Sequence, residues 1–330
     1  MIPKLTIVIP TVNRCQLLKR AVESALAQTS NDIEIIVSDN GSTDATSEVL
    51  SAFDDPRLRV LHRAVTIDAC SHGNFLLDEA RGELFLGLSD DDYIEPAFAS
   101  EVIAFFAAHP EVVFSYTGCE MHYADVAVPA KLGPEIELGI DFLSAFLAGK
   151  RDVCWCACVT RTADLRSIGS IPPRTICGDM FYWTKLATRG PVGCINKTLS
   201  HYVVYREDVK NSSSGTPILA WAREVEKLTN FMIEACIDGS PSNRDSANVR
   251  RQGRALLARS TADQFIWNAL RGVSRYSLLS TLIPAFPFLA GGPLSIWIRT
   301  AAAIGAPHEL LLTRVLAAAR KKAESLTTRK

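Results

Sequence analysis

The sequence predicts an α/β fold, a mainly parallel central sheet flanked by helices and followed by a C-terminal helical extension. Three observations carry this. Strand-length apolar runs alternate with helix-period stretches through roughly the first hundred residues. The apolar runs end in turn chemistry. Beyond Pro217 the strand pattern stops while helical periodicity continues.

The elements follow in order. Residues 5–9 form an apolar strand stopped by Pro10. Residues 14–28 place Leu17, Leu18, Ala21, Val22, Ala25 and Leu26 on one helical face, with Asn13 as the expected N-cap. A second strand at 33–37 runs into the turn Ser38-Asp39-Asn40-Gly41. Ser42, Thr43 and Asp44 then open a helix carrying Val49, Leu50 and Phe53. Strands at 58–61 and 84–88 complete repeated β-α-β units, which imply parallel pairing. Pro96 begins a helix bearing Val102, Ile103, Phe105 and Phe106. Strands are expected at 112–116, 153–159 and 192–195, and a helix at 179–188 ended by Gly190-Pro191. Residues 206–217 have the composition of a mobile loop. The expected division is therefore 1–216 and 217–330.

Bulk properties narrow the function. The chain has 330 residues, 48% hydrophobic and 22% charged, enough for an ordinary packed core. A net charge of −1 gives no electrostatic case for nucleic acid. The nine cysteines form no C-x-x-C pair, and Cys154, Cys156 and Cys158 alternate as strand residues do, which suits a reducing cytosol. Met1-Ile2-Pro3-Lys4 leads straight into a strand without a secretory pattern, so a cytoplasmic location is expected. Residues 276–304 are apolar but broken by Pro284, Pro287, Gly291, Gly292 and Pro293. A spanning helix needs about 20 continuous apolar residues. Two readings stay open: a packed helical cap, or peripheral contact with the inner face of the cell membrane through Phe286, Phe288 and Trp297 beside Arg271, Arg275 and Arg299.

Chemistry concentrates at three strand ends: Ile9-Pro10-Thr11-Val12-Asn13-Arg14, Val37-Ser38-Asp39-Asn40-Gly41-Ser42-Thr43-Asp44, and Leu88-Ser89-Asp90-Asp91-Asp92. In open α/β sheets such ends converge on one crevice. Three adjacent carboxylates repel one another unless a positive charge joins them, and Mg²⁺ or Mn²⁺ prefers such hard oxygen ligands. Taken alone, the triplet reads equally as a solvated acidic turn. Asp39 likewise reads as an Asx-turn residue and Asp179 as a helix cap.

Together with Gly73-Asn74-Phe75 and Ala80-Arg81-Gly82-Glu83, these motifs resemble the nucleotide-binding half of the family 2 glycosyltransferases, which have the A-type glycosyltransferase fold. The resemblance covers about residues 4–205. It implies a nucleotide-sugar donor, a divalent metal (Mn²⁺ or Mg²⁺), inversion at the anomeric carbon, and a glycan or lipid-linked acceptor in bacterial surface polysaccharide synthesis. It gives Asp39 the base N–H, with Pro10, Thr11, Asn13, Asn40 and Ser42 shaping the pocket. Arg14 packs locally or approaches a phosphate. Asn74 and Asp90 also face the donor, Asp90 at the ribose or sharing the metal. Asp91 is the direct metal ligand, and Asp92 joins it or fixes the loop. Where this chain has Ser89 the family often has Asp, which leaves that division open. Cys177-Gly178-Asp179-Met180 resembles the family's base element, making Asp179 the general base. Arg206 after Tyr205 is the expected phosphate clamp. His201 reads as structural or as a metal ligand.

Rival readings are a nucleotidyltransferase that makes nucleotide sugars and a non-catalytic nucleotide-sugar-binding scaffold. The place after the first strand holds no glycine, which argues against the first and against a G-x-G-x-x-G oxidoreductase. Neither a Gln-x-x-Arg-Trp element nor a spanning helix is present in the sequence, so addition of a single sugar is expected. The oligomeric state is open.

Overall fold

The computed structural model describes residues 2–123, 126–204, 216–239, 246–270, 273–292, 296 and 300. The chain forms two compact units, Met1–Arg206 with Asp238–Ser240, and Glu207–Ile237 with Pro241–Lys330.

In the first unit, β1 (Leu5–Thr11), α1 (Cys15–Leu26), β2 (Ile33–Asp39), α2 (Thr46–Ser51), β3 (Leu58–His62), α3 (Ala69–Glu79) and β4 (Leu84–Gly87) follow in β-α alternation. β5 (Tyr93–Ile94), α4 (Phe98–Ala108), β6 (Phe114–Tyr123), β7 (Val126–Pro129), β8 (Ile136–Glu137) and α5 (Gly139–Leu147) come next. β9 (Cys158–Arg161), α6 (Thr162–Ser167), α7 (Gly178–Ala187) and β10 (Val192–Val204) close the unit. β1 and β2 read as nearly unbroken apolar runs because helices cover both faces of a sheet built this way. Leu5, Ile7, Ile9, Ile35 and Val37 are fully buried and pack with Leu18, Val22 and Ala25 of α1. Burying each large aliphatic side chain contributes about 1.5–3 kcal/mol.

The ten-stranded sheet has the order β3-β2-β1-β4-β9-β6-β10-β5, with β7 beside β6 and β8 beside β10. It is a mixed sheet. The run β3-β2-β1-β4 is parallel. β9 is antiparallel to both β4 and β6, β6 and β10 are parallel, and β5 is antiparallel to β10. The expected parallel pairing thus describes the half that carries the three motifs. Register aligns Thr11 with Asp39 and Val8 with Gly87, and Leu88 N–H donates to Val8 O at 2.9 Å. The carboxyl ends of β1, β2 and β4 therefore lie side by side.

Several boundaries differ from the sequence expectation. Asn13 does not cap α1: it sits at φ 54° and sends its carboxamide to Thr43, and Arg14 takes the cap position. The strand expected at 153–159 starts only at Cys158, and Trp155–Ala157 is a single 3₁₀ turn. The Trp155 indole lies against Gly87 so closely that a Cβ there would meet it at 2.1 Å. That contact replaces the expected Cys154–Cys158 alternation. β10 is 13 residues long, far beyond the short strand at 192–195, because β6 and β5 pair with its second half.

The second unit contains α8 (Ile218–Asp238), α9 (Ser246–Leu270) and α10 (Arg275–Leu289). Ala258, Ala262, Phe265, Leu278, Ala285 and Leu289 form its core. α10 continues through Pro284 and Pro287, residues expected to interrupt it. Among the described residues no helix is long and apolar enough to cross a membrane. Arg206, Trp297, Arg271 and Arg299 lie outside the described residues.

Candidate active site

The acid turn after β4 is tied to the end of β1. Thr11 Oγ1 donates to Asp90 Oδ2 at 2.7 Å in a buried hydrogen bond. Arg14 forks across two neighbours, Nη1 to Asp90 Oδ1 at 2.5 Å and Nη2 to Asp91 Oδ2 at 2.7 Å. Adjacent carboxylates of low exposure repel, and one guanidinium shared between them offsets that cost with charge-assisted hydrogen bonds. Arg20, further along α1, donates to the Asp91 carbonyl oxygen at 2.7 Å and fixes the turn's backbone.

The three acids occupy different environments. The Asp90 side chain is 5% exposed and that of Asp91 is 19% exposed. Asp92 is buried, and its Oδ1 accepts from Val203 N–H at 2.9 Å. No hydrogen bond reaches its buried Oδ2 among the described residues. Burial, followed by the charge of Asp91, pushes the Asp92 carboxyl well above the ordinary carboxylate range. Asp92 thus anchors the turn to β10, and Asp91 is the acid most open to a ligand. A divalent cation fits this donor set: hard carboxylate oxygens at Asp91 and Asp90 whose charge the protein balances with Arg14.

The end of β2 joins the same network. Asp39 is buried, and its Oδ1 accepts from Ser42 N–H at 2.9 Å in an Asx-type turn. Its Oδ2 lies 3.4 Å from His62 Nδ1. Gly41 at φ 80° completes the turn, and a Cβ there would come within 3.0 Å of Thr66 N. Asn40 N–H donates to Thr11 O at 2.9 Å, and its carboxamide clamps Ile67 through both backbone groups. Asn13 N–H donates to Ser42 Oγ at 2.8 Å while Thr43 N–H donates to Asn13 Oδ1 at 2.7 Å. Pro10, paired with Ser38, stands between these contacts in β1. Motifs far apart in sequence thus form one hydrogen-bonded constellation.

Asn74 and Asp179 stand apart from it. Asn74 exchanges hydrogen bonds with the Ile171 backbone at 2.8 and 3.0 Å and accepts from Tyr182 Oη at 3.2 Å. It ties α3 to the segment leading into α7. Asp179 opens α7 and lines a small apolar cavity with Phe85, Trp155, Cys158, Tyr182 and Trp183. Desolvation there raises its pKa, against the stabilising N–H groups of the helix's first turn. Trp155 connects this cavity to β4 through Gly87, just ahead of the acid turn. Trp155 and Arg20 carry no local sequence signal as neighbours of the site, because one acts by packing on Gly87 and the other by a hydrogen bond to Asp91, both distant in sequence.

Residues 6–132, which hold the acid triplet and its Thr11, Arg14 and Arg20 partners, match the family described as Glycosyl transferase family 2. Over that stretch the chain is similar to the family 2 glycosyltransferases. A putative colanic acid biosynthesis glycosyl transferase of Escherichia coli (strain K12) is 32% identical over 116 residues, covering 34% of this chain and 40% of that protein. A GalNAc(5)-diNAcBac-PP-undecaprenol beta-1,3-glucosyltransferase of Campylobacter jejuni is 40% identical over 93 residues, covering 27% of this chain and 30% of that protein. The matches thus span less than half the length of these relatives. The solved structure of a mannosyltransferase from Pyrobaculum calidifontis in complex with GDP-Man and Mn²⁺ superposes with a TM-score of 0.54 at 16% identity, covering 92% of this chain and 86% of that one. That likeness is one of fold. The fold is thus that of the A-type glycosyltransferases, a sheet mixed in pairing and flanked by helices.

Proposed function

We propose that this glycosyltransferase moves one sugar, with inversion, from a nucleotide-sugar donor to a hydroxyl of a glycan or lipid-linked acceptor in bacterial surface polysaccharide synthesis. The observation that carries this reading is the single hydrogen-bonded constellation joining Thr11, Arg14, Asp39, Asp90 and Asp91 across three neighbouring strand ends. The names of the two bacterial relatives support the acceptor class, and the mannosyltransferase complex supports a nucleotide sugar with a divalent ion.

In this reading Asp39 accepts a hydrogen bond from the nucleotide base, at the floor set by Pro10, Thr11 and the Asn13–Ser42 contact. Asp91 holds the cation, with Asp90 beside it toward the ribose and Asp92 keeping the turn in place. The bound Mn²⁺ or Mg²⁺ would supply Lewis-acid stabilisation of the departing diphosphate. Arg14 moves between acid and phosphate partners as charge builds, and Arg206 clamps the diphosphate. Asp179, its pKa raised by burial, takes the proton of the acceptor hydroxyl as that oxygen attacks the anomeric carbon. The aromatic walls around it limit water, which would hydrolyse the donor.

The test is a panel of nucleotide sugars with the purified full chain and Mn²⁺, scored by donor hydrolysis and thermal shift. Metal-dependent stabilisation and turnover of at least one donor is expected, and no response to any nucleotide sugar overturns the reading. Peripheral membrane contact is proposed from α10, where Tyr276, Leu279 and Phe286 are exposed at 83%, 40% and 42%. Replacing all three by Ser in the full chain should reduce binding to anionic vesicles severalfold, and unchanged binding ends that part of the proposal.

A further inference from the structure

A second cluster of ligating side chains lies on the β9-β6-β10-β5 half of the sheet, outside the site described above. Glu120 and His122 sit two apart on β6, so they share one face of the strand. β10 runs parallel beside it with His201 in register with Glu120. Cross-strand pairing thus brings three ligand atoms together: Glu120 Oε2, His122 Nε2 and His201 Nδ1 lie within 4.8 Å of one another. His122 Nε2 is 3.2 Å from His201 Nδ1 and 3.2 Å from Glu120 Oε2, and His201 Nδ1 is 3.6 Å from that same oxygen.

We propose that Glu120, His122 and His201 form a Zn²⁺ site, separate from the cation expected at Asp91, that pins β10 to β6 beside the Asp92 anchor. Geometry comes first. Ligands bound at about 2.0–2.2 Å in a tetrahedron stand about 3.3–3.6 Å apart, close to the edges of 3.2, 3.2 and 3.6 Å this triangle already has. Proton counting points the same way. His201 Nε2 lies 2.7 Å from Glu95 Oε1, and the neutral imidazole that donates there keeps a lone pair on Nδ1 facing the cluster. The Glu120 oxygen also offers only lone pairs. The single N–H that His122 Nε2 can carry satisfies two such acceptors poorly, whereas a divalent cation satisfies all three groups at once.

The surroundings match what a zinc site requires. A carboxylate behind a ligating histidine fixes its tautomer and raises its basicity, the part Glu95 plays for His201. Tyr93 stacks on the His201 ring at 4.2 Å and 7°, with the Arg20 guanidinium 4.3 Å from the centre of the same tyrosine ring, so the imidazole is held in orientation. The Glu120 side chain is 40% exposed, which leaves the ion a way in and room for a water as fourth ligand. Two imidazoles with one carboxylate favour zinc over magnesium, calcium or manganese. Val203, whose N–H holds Asp92, follows closely after His201 on β10. Zinc would therefore stiffen the strand that fixes the acid turn.

The full chain, stripped of metal and free of nucleotide, is titrated with Zn²⁺ against a chromophoric chelator. About one equivalent should bind and raise the melting temperature. Glu120→Gln and His122→Ala should each weaken binding by about tenfold or more, Glu95→Gln by about 10–100-fold, and Asp91→Asn not at all. Glu120→Gln changes an exposed side chain, so loss of zinc in a variant with an unchanged circular dichroism spectrum reports ligation and not misfolding. Co²⁺ in place of zinc should give visible d–d bands without thiolate charge transfer. Zinc affinity untouched by Glu120→Gln and His122→Ala, thiolate charge transfer from the cysteines, or absence of zinc binding each overturns the site. Because no donor is present, these outcomes are independent of the glycosyl-transfer reading.

Discussion

The two halves of the sheet divide the work of the site differently. In the parallel half, β3-β2-β1-β4, each functional side chain sits at or just past a strand end, and its partners belong to neighbouring strand ends: Thr11 to Asp90, Arg14 to Asp90 and Asp91, Asp39 to Ser42. In the mixed half, β9-β6-β10-β5, side chains from distant segments meet along or beside the strands: Asp92 with Val203, His201 with Glu95, His122 and Glu120. In the proposed function the parallel half presents charge to the donor, and the mixed half fixes where that charge stands. A ligand-facing acid can therefore be exchanged with little effect on the fold, whereas an anchor such as Asp92 cannot.

The largest expected effect tests whether chemistry belongs to neither half but to their seam, where Asp179 meets Phe85 of β4 and Cys158 of β9. Asp179→Asn should lower kcat by about 10²–10⁴-fold while donor affinity, read by calorimetry, stays unchanged. The wild-type pH profile adds a sign. A base must be ionised to act, and burial raises the Asp179 pKa above the ordinary aspartate value of 3.8. Activity should therefore fall on acidification with a midpoint above that value. A midpoint at or below it, or turnover that survives in Asp179→Asn, removes Asp179 as the base.

Next in size is the charge balance of the parallel half. Arg14→Met leaves Asp90, 5% exposed, facing Asp91 without its guanidinium. Breaking a buried pair this way costs about 3–5 kcal/mol, and the partial exposure of Asp91 places the loss toward the lower end. If these acids face a cation in the working enzyme, millimolar Mn²⁺ should restore more melting temperature to Arg14→Met than it adds to the wild type. Equal gains in both proteins would break the link between the acid turn and a metal.

The same division explains what could be read from the sequence. Strand ends carry local signals: an apolar run, then Pro, Asn, Gly or Asp, so the parallel half and its acids were legible as a set. The cross-strand contacts of the mixed half have no local signature. His122 and His201 are far apart in sequence, and only the β6–β10 register brings them together. Residues 153–159 misled for the same reason: alternating cysteines have strand periodicity, and nothing nearby reveals that Trp155 must lie on Gly87. Asn13 had the composition of a cap, yet its carboxamide spans to Thr43 on the next strand's turn. The two prolines inside α10 show the converse, with tertiary packing of Leu278, Ala285 and Leu289 overriding a local breaker.

The smallest expected effect sits at the seam itself. Gly87 has no side chain because the Trp155 indole fills that space, and a Cβ would meet it at 2.1 Å. Gly87→Ala should cost about 1–3 kcal/mol in urea unfolding, the range for overpacking a filled core. Trp155→Leu in the same chain should return part of that loss, since the bulk that clashes is gone. The kinetic consequence is the sharper test. Trp155 also walls the Asp179 cavity, so a displaced indole should lower kcat without changing donor affinity. If Gly87→Ala instead weakens the donor and leaves kcat alone, the indole steers the acid turn after β4 and not the base, and the seam belongs to the parallel half.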